Sequence, residues 1–324
     1  MNTGQPIVKI SLVIPCYNEA DNIPVLFNKL SEALKELVTT RKVEYEVLMV
    51  NDGSSDSTLD KLHACSQKDN RFRVVDFRRN YGQTAAMAAG FDLATGEVVI
   101  PMDADLQNDP TDIGKLLDKI NEGFDVVSGW RKDRKDKTIS RILPSKIANW
   151  LISRISRVHL NDYGCTLKAY RREILRNVKL YGEMHRFIPI YASWLGARIT
   201  EIPVTHHPRL YGKSNYGIIR TFKVLLDLVT IKFLGDYSTK PIYLFGGIGI
   251  LFGLLGFLCE VQVAYVKFVK GGKAYDNPML IIGIFFMVIG FQSILIGLLA
   301  EINIRTYHES QHRPIYWIKE STGT

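Results

Sequence analysis

Ile7-Val8-Lys9-Ile10-Ser11-Leu12-Val13-Ile14 is a β-rich run that ends at Pro15, and the polar string Cys16-Tyr17-Asn18-Glu19 follows at once. A short apolar run closed by a proline reads as a strand. The next residues change period: Ile23, Leu26, Phe27, Leu30, Leu34 and Leu37 recur at helical spacing over 21–38. The alternation then repeats. Residues 45–50 form a second strand-like run, and Asp56 is placed to cap a second helix. Strand-like runs at 72–77, 97–101 and 125–128 alternate with helical patterns at 82–93 and 111–121. Repeated β-then-α units predict a Rossmann-like α/β fold whose mostly parallel sheet carries helices on both faces. Ligands of such sheets bind beyond the carboxyl ends of the strands, and the polar clusters of this sequence fall there.

The end of the chain has another character. Hydrophobic residues make up 46% of the 324 and charged residues 23%, which excludes a disordered chain. Residues 241–259 and 279–300 carry no charge at all. With their flanks, over 241–266 and 278–302, they reach the roughly 20 residues that cross a bilayer. Two transmembrane helices joined at 267–277 are therefore expected, and a purely soluble protein is not. Lys223, Lys232 and Lys240 before the first span, with Arg305, Arg313 and Lys319 after the second, outnumber Lys267, Lys270 and Lys273 between them. That bias places both ends, and the catalytic part with them, on the cytoplasmic side of a multi-pass inner-membrane protein. Glu260 and Gln292 are costly in lipid and are expected to pair between the spans. Gly246, Gly249, Gly253 and Gly256 permit close helix packing, including a homo-oligomer.

Residues 1–130 hold 13 Lys+Arg against 20 Asp+Glu, whereas residues 131–232 hold 21 against 7. A basic half beside membrane spans fits anionic headgroups or a phosphate-bearing lipid. Nucleic acid is not expected, because the basic stretch lacks an aromatic-interleaved binding motif. Residues 139–158 and 216–234 read as amphipathic helices. In the second, Ile218, Ile219, Phe222, Leu225, Leu226, Val229 and Phe233 share a side, which suits a core-facing or an interfacial helix. Cys16, Cys65, Cys165 and Cys259 form no C-x-x-C pair, so a reducing compartment is expected rather than zinc or a disulfide framework. Residues 1–9 do not read as a signal peptide. The expected layout is a catalytic domain at 1–215, an interfacial helix at 216–237, a two-helix membrane domain at 238–304 and a cytoplasmic tail at 305–324.

Four polar loops carry the chemistry: residues 15–19, 51–56, 102–107 and 161–165. Asp103 and Asp105 follow the strand at 97–101, and alternation along an extended segment would set both carboxylates on one side. A D-x-D by itself also arises from turns and helix caps. Two carboxylates beside a diphosphate suit Mg²⁺ or Mn²⁺, which keep other positions for water and phosphate oxygens.

Residues 15–19, 51–56, Arg78-Arg79-Asn80-Tyr81-Gly82 and residues 103–107 together resemble the family 2 glycosyltransferases, which have a GT-A nucleotide-sugar fold. Ser128-Gly129-Trp130-Arg131, residues 162–170 and Arg186-Phe187-Ile188-Pro189 are similar to its polyisoprenyl-phosphate branch. So is Glu201-Ile202-Pro203-Val204 with Arg209, Gly212, Lys213 and Ser214. That branch includes dolichol-phosphate mannose synthases and bacterial bactoprenol glucosyltransferases, and the two spans fit the latter. The likeness covers about residues 7–216. Three departures stand out. Cys165-Thr166-Leu167-Lys168 replaces the S-G-F-R of many relatives, Asn215 replaces a frequent Lys, and the Q-x-x-R-W of processive polysaccharide synthases is missing.

The resemblance implies that a UDP-sugar, UDP-glucose first, donates its sugar to undecaprenyl or another polyisoprenyl phosphate in one inverting displacement. The product would serve cell-envelope or lipopolysaccharide glycosylation. Pro15, Tyr17, Asn18, Glu19 and Ala104 would border the donor, and Asp52 would read the base or ribose. Gly82 would bring backbone N–H groups to an anion, or serve as a turn glycine. Asp103, Asp105 and Gln107 would hold the metal. Arg131, Arg141, Arg209 and Lys213, assisted by Ser145, would take the acceptor phosphate, which arginine can grip through two donors. Asp162 would orient a hydroxyl or accept a proton. Mannose, galactose and aminoarabinose are the other sugars considered. A scaffold that binds nucleotide sugars without turnover, and a flippase, are the rivals; intact Asp52, Asp103 and Asp105 oppose the first and the small number of spans the second. His63, His159 and His185 read as surface or packing residues. His206 and His207 lie near Arg209, and His308 and His312 lack a carboxylate for zinc.

Overall fold

The computed structural model of the chain describes residues 9–132, 149–176, 178, 180, 184–210, 219–237 and 240–310. Its strands are β1 (Lys9–Cys16), β2 (Glu44–Asn51), β3 (Phe72–Asp76), β4 (Val98–Pro101), β5 (Val126–Trp130), β6 (Lys168–Arg171) and β7 (Ile199–Pro203). They form one sheet in the order β3-β2-β1-β4-β6-β5-β7. All neighbours are parallel except β6, which runs antiparallel to both β4 and β5. The strands and helices of the first 130 residues fall where the periodicity puts them. β6 and β7 are not among the predicted strands: they lie in the basic half, between the helical patterns at 139–158 and 216–234. Lys168 and Arg171 bound a four-residue strand that shows no period of its own, and its pairing is made entirely with distant chain.

Burial explains the central strands. Ile10, Leu12, Val13 and Ile14 are all fully buried, so β1 has no solvent face. Ile10, Leu12 and Ile14 pack with the apolar stripes of α1 (Ile23–Arg41) and α4 (Ile113–Asn121). Val13, Leu48 and Val99 point the other way, with Met87 of α3 (Gln83–Leu93) and Ile188 of α5 (Ile188–Trp194). The second helix, α2 (Thr58–Lys68), opens beneath Asp56, whose carboxylate accepts from the Thr58 N–H at 3.0 Å and the Thr58 hydroxyl at 2.5 Å.

At the end of the sheet away from the polar loops, Glu46 is buried among hydrogen bonds. Ser11 Oγ donates to it at 2.6 Å, the Thr95 N–H and hydroxyl each at 2.7 Å, and Arg73 at 2.9 Å. Burial alone would raise this carboxyl, but the four donors override it and hold the pKa down to about 2. A depressed carboxylate stabilises the fold above its unfolded pKa and loses that contribution as pH falls through the folded value. Glu46→Gln is therefore expected to cost about 2–3 kcal/mol at neutral pH. The gap from wild type should close between the unfolded value near 4.5 and about pH 2, read as urea midpoints of the detergent-solubilised chain. A gap independent of pH would contradict this.

The chain divides into two compact units, Met1–Leu228 and Val229–Thr324, with the divide inside α6 (Ile219–Tyr237). Leu226 and Val229 on α6 are exposed rather than core-facing. In the second unit, α7 (Pro241–Phe268) and α8 (Met279–Ser310) are long and apolar enough to cross a membrane, α8 over Met279–Ile304. Their seam is built from glycine. A methyl group on Gly249 would lie 2.7 Å from the Gly290 carbonyl, and one on Gly256 2.7 Å from that of Gly283. Gly249 and Gly256, seven residues apart, thus close the hairpin itself instead of a contact with another copy. A methyl group on Gly253 would meet nothing within 4 Å, and one on Gly246 only the Ile242 side chain at 3.8 Å. Glu260 lies against the partner helix at Gly283, but its buried Oε1 has no hydrogen-bond partner among the described residues, and Gln292 is exposed on the hairpin, so the structure does not show the expected pairing. Gly256→Val should loosen the hairpin by about 1–3 kcal/mol, whereas Gly253→Ala should leave it intact. Cysteine cross-linking between α7 and α8 reads the difference; equal efficiencies in both variants would contradict the glycine seam.

Candidate active site

The loops after β1 and β2 are knitted together. The Asp52 N–H donates to the Cys16 carbonyl at 2.8 Å, the Asn18 N–H to Ser54 Oγ at 3.0 Å, and the Glu19 N–H to Thr58 Oγ1 at 2.8 Å. Asn18 takes a positive φ of 55°, which asparagine tolerates, and its side-chain oxygen accepts from the Ser55 N–H at 2.9 Å. Tyr17 stands exposed beside them, next to the half-buried Pro15. Glu19 bonds Asn22, and its carboxyl is raised, first by burial and then by the charges of Asp105 and Asp103. Asp52 is buried, and its two oxygens accept from the N–H groups of Tyr81 at 2.7 Å and Gly82 at 2.9 Å. The Gly82 N–H is thus committed to a side chain and not offered to an anion. Its glycine is explained by a φ of 94° at the cap of α3.

β4 ends at Pro101, so Asp103 and Asp105 sit in a bent loop, with Leu106 at φ 62°, and not on an extended segment. The two carboxylates are nonetheless close. Asp103 has its pKa raised by burial and then by the charge of Asp105. Its Oδ1 accepts from Gln83 Nε2 at 2.7 Å and its Oδ2 from Thr166 Oγ1 at 2.6 Å. Asp105 accepts from the Gln107 N–H at 3.2 Å and, on its other oxygen, from Arg209 Nη2 at 2.6 Å. Ala104 between them is buried, and the Gln107 side chain is half-buried. The segment after β7 delivers Arg209 by lying along this loop. Asn108 and His206 form a β-bridge, the His207 N–H donates to the Gln107 carbonyl at 2.9 Å, and His207 Nε2 meets Asp109 at 2.9 Å.

Arg131, just past β5, is closed onto Asp162. Its Nε and Nη2 donate to the two carboxylate oxygens at 2.7 and 2.9 Å, and the Gly164 N–H adds a third bond at 3.1 Å. Burial would lower the Arg131 pKa, but the Asp162 bonds and charge override it and raise it. A carboxylate held in this fork is a poor proton acceptor, so the geometry suits Asp162 to orienting Arg131 rather than to acting as a base. Arg141, Ser145 and Lys213 lie outside the described residues. Gln83, Thr166, Lys168 and His185 are neighbours that the sequence reading does not assign to the site. His185 is buried against the Thr84 hydroxyl at 2.7 Å, and burial followed by the charges of Arg186 and Lys168 brings its pKa down to about 3. The polar loop 161–165 and the departure from the family pattern at 165–168 were the available signal for Thr166 and Lys168.

Among the described residues no group of three or more His, Cys, Asp or Glu side chains could hold a metal. The two aspartates nonetheless fit Mg²⁺ or Mn²⁺. Those ions need few protein carboxylates when phosphate and water fill the other positions, and the mutual repulsion on Asp103 is what a cation relieves.

The model of the family described as Glycosyl transferase family 2 matches residues 11–179. The dodecaprenyl-phosphate galacturonate synthase of Rhizobium johnstonii is 40% identical over 98% of this chain and 95% of its own. The undecaprenyl-phosphate 4-deoxy-4-formamido-L-arabinose transferase of Proteus mirabilis is 37% identical over 100% and 97%. Among solved structures, glucosyl-3-phosphoglycerate synthase from Mycobacterium tuberculosis with Mn²⁺, UDP and phosphoglyceric acid superposes with a TM-score of 0.54. At 16% identity, over 72% of this chain and 81% of that one, the likeness establishes the fold, which is GT-A.

Proposed function

The chain belongs to glycosyl transferase family 2, and from that premise we propose that it moves a uronic-acid-type sugar from a UDP donor to a polyisoprenyl phosphate. Transfer of a sugar to a polyprenyl phosphate is the activity its relatives share by name. Galacturonate and 4-deoxy-4-formamido-arabinose in those names favour an acidic hexose or its pentose kin over glucose. The observation that carries the reading is the meeting of Asp103 and Asp105 with Arg209, bonded to Asp105, and with Arg131, which is bonded to Asp162 and whose charge acts on Asp103. One anionic reactant calls for a carboxylate-held cation, and the other calls for arginines.

A divalent metal on Asp103 and Asp105 would neutralise charge growing on the departing UDP. Gln83 and Thr166 fix the two oxygens of Asp103, so its orientation is set before substrate arrives. Loops 16–19 and 52–55, locked by Asn18, Ser54 and Asp52, form the donor side. The acceptor needs no strong base, because a phosphate monoester is largely ionised at neutral pH, with a second pKa near about 6. Arg131 and Arg209 draw it in and position it for displacement at the anomeric carbon with inversion. Exposed Leu226 and Val229 on α6 and the helices α7 and α8 support an inner-membrane protein, and the Lys and Arg bias beside the spans favours a catalytic unit in the cytoplasm. A bilayer-bound acceptor then meets a bilayer-bound enzyme.

The test is a donor screen with the purified chain, Mg²⁺ and undecaprenyl phosphate. UDP-galacturonate, UDP-4-deoxy-4-formamido-arabinose, UDP-galactose and UDP-glucose are compared by mass spectrometry of the extracted lipid. A galacturonosyl or formamido-arabinosyl lipid is expected. Product from UDP-glucose alone would return the reading to glucose, and no product from any donor would remove it.

A further inference from the structure

We propose that the small cavity beside Thr166, between β6, α3 and the turn Met184–Phe187, receives the carboxylate of the sugar being transferred, with Lys168 as its counter-ion. This rests on the reading of the chain as a polyprenyl-phosphate sugar transferase and names what its sugar must carry.

Lys168 is a buried cation. It is 2% exposed, and its ammonium donates to the carbonyls of Tyr163, at 3.2 Å, and Cys165. Two of its three N–H groups are thereby used, on neutral partners, and among the described residues no carboxylate lies within ion-pair distance of it. The charges of Asp162 and Asp103 favour this ammonium from beyond contact distance and that of Arg131 opposes it, but its direct partners are carbonyls, so it is incompletely compensated. A second unsatisfied group shares its face of the sheet. Ser128 is directly opposite Lys168 in the β5–β6 register, it is fully buried, and its hydroxyl has no hydrogen-bond partner among the described residues.

The cavity lining has one sign. Lys168 and Arg186 bring positive charge, His185 and Thr166 bring neutral polar groups, and no Asp or Glu lines it. A cation would be repelled there, and an anion would complete Lys168. Position identifies which anion. Thr166 borders the cavity and also donates its hydroxyl to Asp103 at 2.6 Å, so the cavity adjoins the loop assigned above to the donor diphosphate. The donor group one step beyond a diphosphate is its sugar, and the substituent that matches an ammonium is a carboxylate. An arginine in place of Lys168 would differ in reach. The lysine stops at the two carbonyls, whereas the longer planar guanidinium would occupy the space beyond them.

UDP-galacturonate and UDP-galactose differ only in carrying a carboxylate or a hydroxymethyl group, so the pair isolates the contact. With the full-length enzyme, kcat/KM for UDP-galacturonate is expected to exceed that for UDP-galactose by about 100-fold. Lys168→Met should remove most of that preference by lowering the galacturonate value, with the galactose value changing less than about 3-fold. Lys168→Arg, which keeps the charge and fills the space, should also lose the preference. Arg186→Gln at the cavity rim provides the same comparison if the Lys168 variants do not fold. Equal losses on both donors, or a wild-type enzyme indifferent to the carboxylate, would overturn the proposal while leaving polyprenyl-phosphate transfer standing. Transfer from neither donor, nor from any other, would remove that broader reading as well.

Discussion

Asp105→Asn should lower kcat by about 10²- to 10³-fold, the size of effect seen when one preorganised charge at a reacting centre is lost. The expectation follows from what Asp105 touches. Its carboxylate anchors Arg209 at 2.6 Å, and its charge adds to burial in raising the pKa of Asp103. Asparagine keeps the shape and the Gln107 bond but can neither hold a divalent ion as well nor pair Arg209. Apparent affinity for Mg²⁺ should fall in parallel, and Mn²⁺ binding followed by electron paramagnetic resonance measures that without turnover. KM for undecaprenyl phosphate should rise as well, because Arg209, assigned to the lipid phosphate, loses its Asp105 partner. Transfer at full rate after exhaustive chelation, together with near-normal turnover by the variant, would end the metal-assisted account.

The second large effect is on stability. Asp162→Ala leaves Arg131 in place with its side chain only 15% exposed and both its bonded donors orphaned. Breaking a buried pair by removing one partner costs about 3–5 kcal/mol, more than the pair contributes relative to a well-packed apolar replacement. The double substitution Arg131→Met with Asp162→Leu should therefore regain much of the thermal stability lost by Asp162→Ala. It should remain inactive, because no guanidinium is then presented to the acceptor. Asp162→Asn adds a diagnostic: if the residue served as a proton acceptor, activity would collapse with KM for the lipid unchanged. If it orients Arg131, KM for the lipid should rise as well.

Much of this was written locally. The eight-residue run at the start of β1, the helical stripe of α1 and the D-x-D after β4 each lie in a window shorter than 20 residues, where period and turn chemistry are readable. Gln83 and Thr166 were not readable as partners of Asp103, because they come from chain 20 residues before it and 63 after it. β6 was hidden for the same reason: a four-residue strand with charged ends is defined by its neighbours and not by its own period.

The sequence by itself determined the α/β alternation, the loops that carry acidic residues, the basic half and the two bilayer-length helices, because each depends on residues close in the chain. Tertiary structure alone decided the pairing. It put Arg131 on Asp162 and Arg209 on Asp105, so that cations read as free for a phosphate are held by carboxylates 31 and 104 residues away. It also turned Gly249 and Gly256 toward Gly290 and Gly283 of the same chain. Charge and size are properties of a residue, but the partner that satisfies them is chosen by the fold, since only packing brings remote groups within a few ångströms and removes the water that would otherwise serve both.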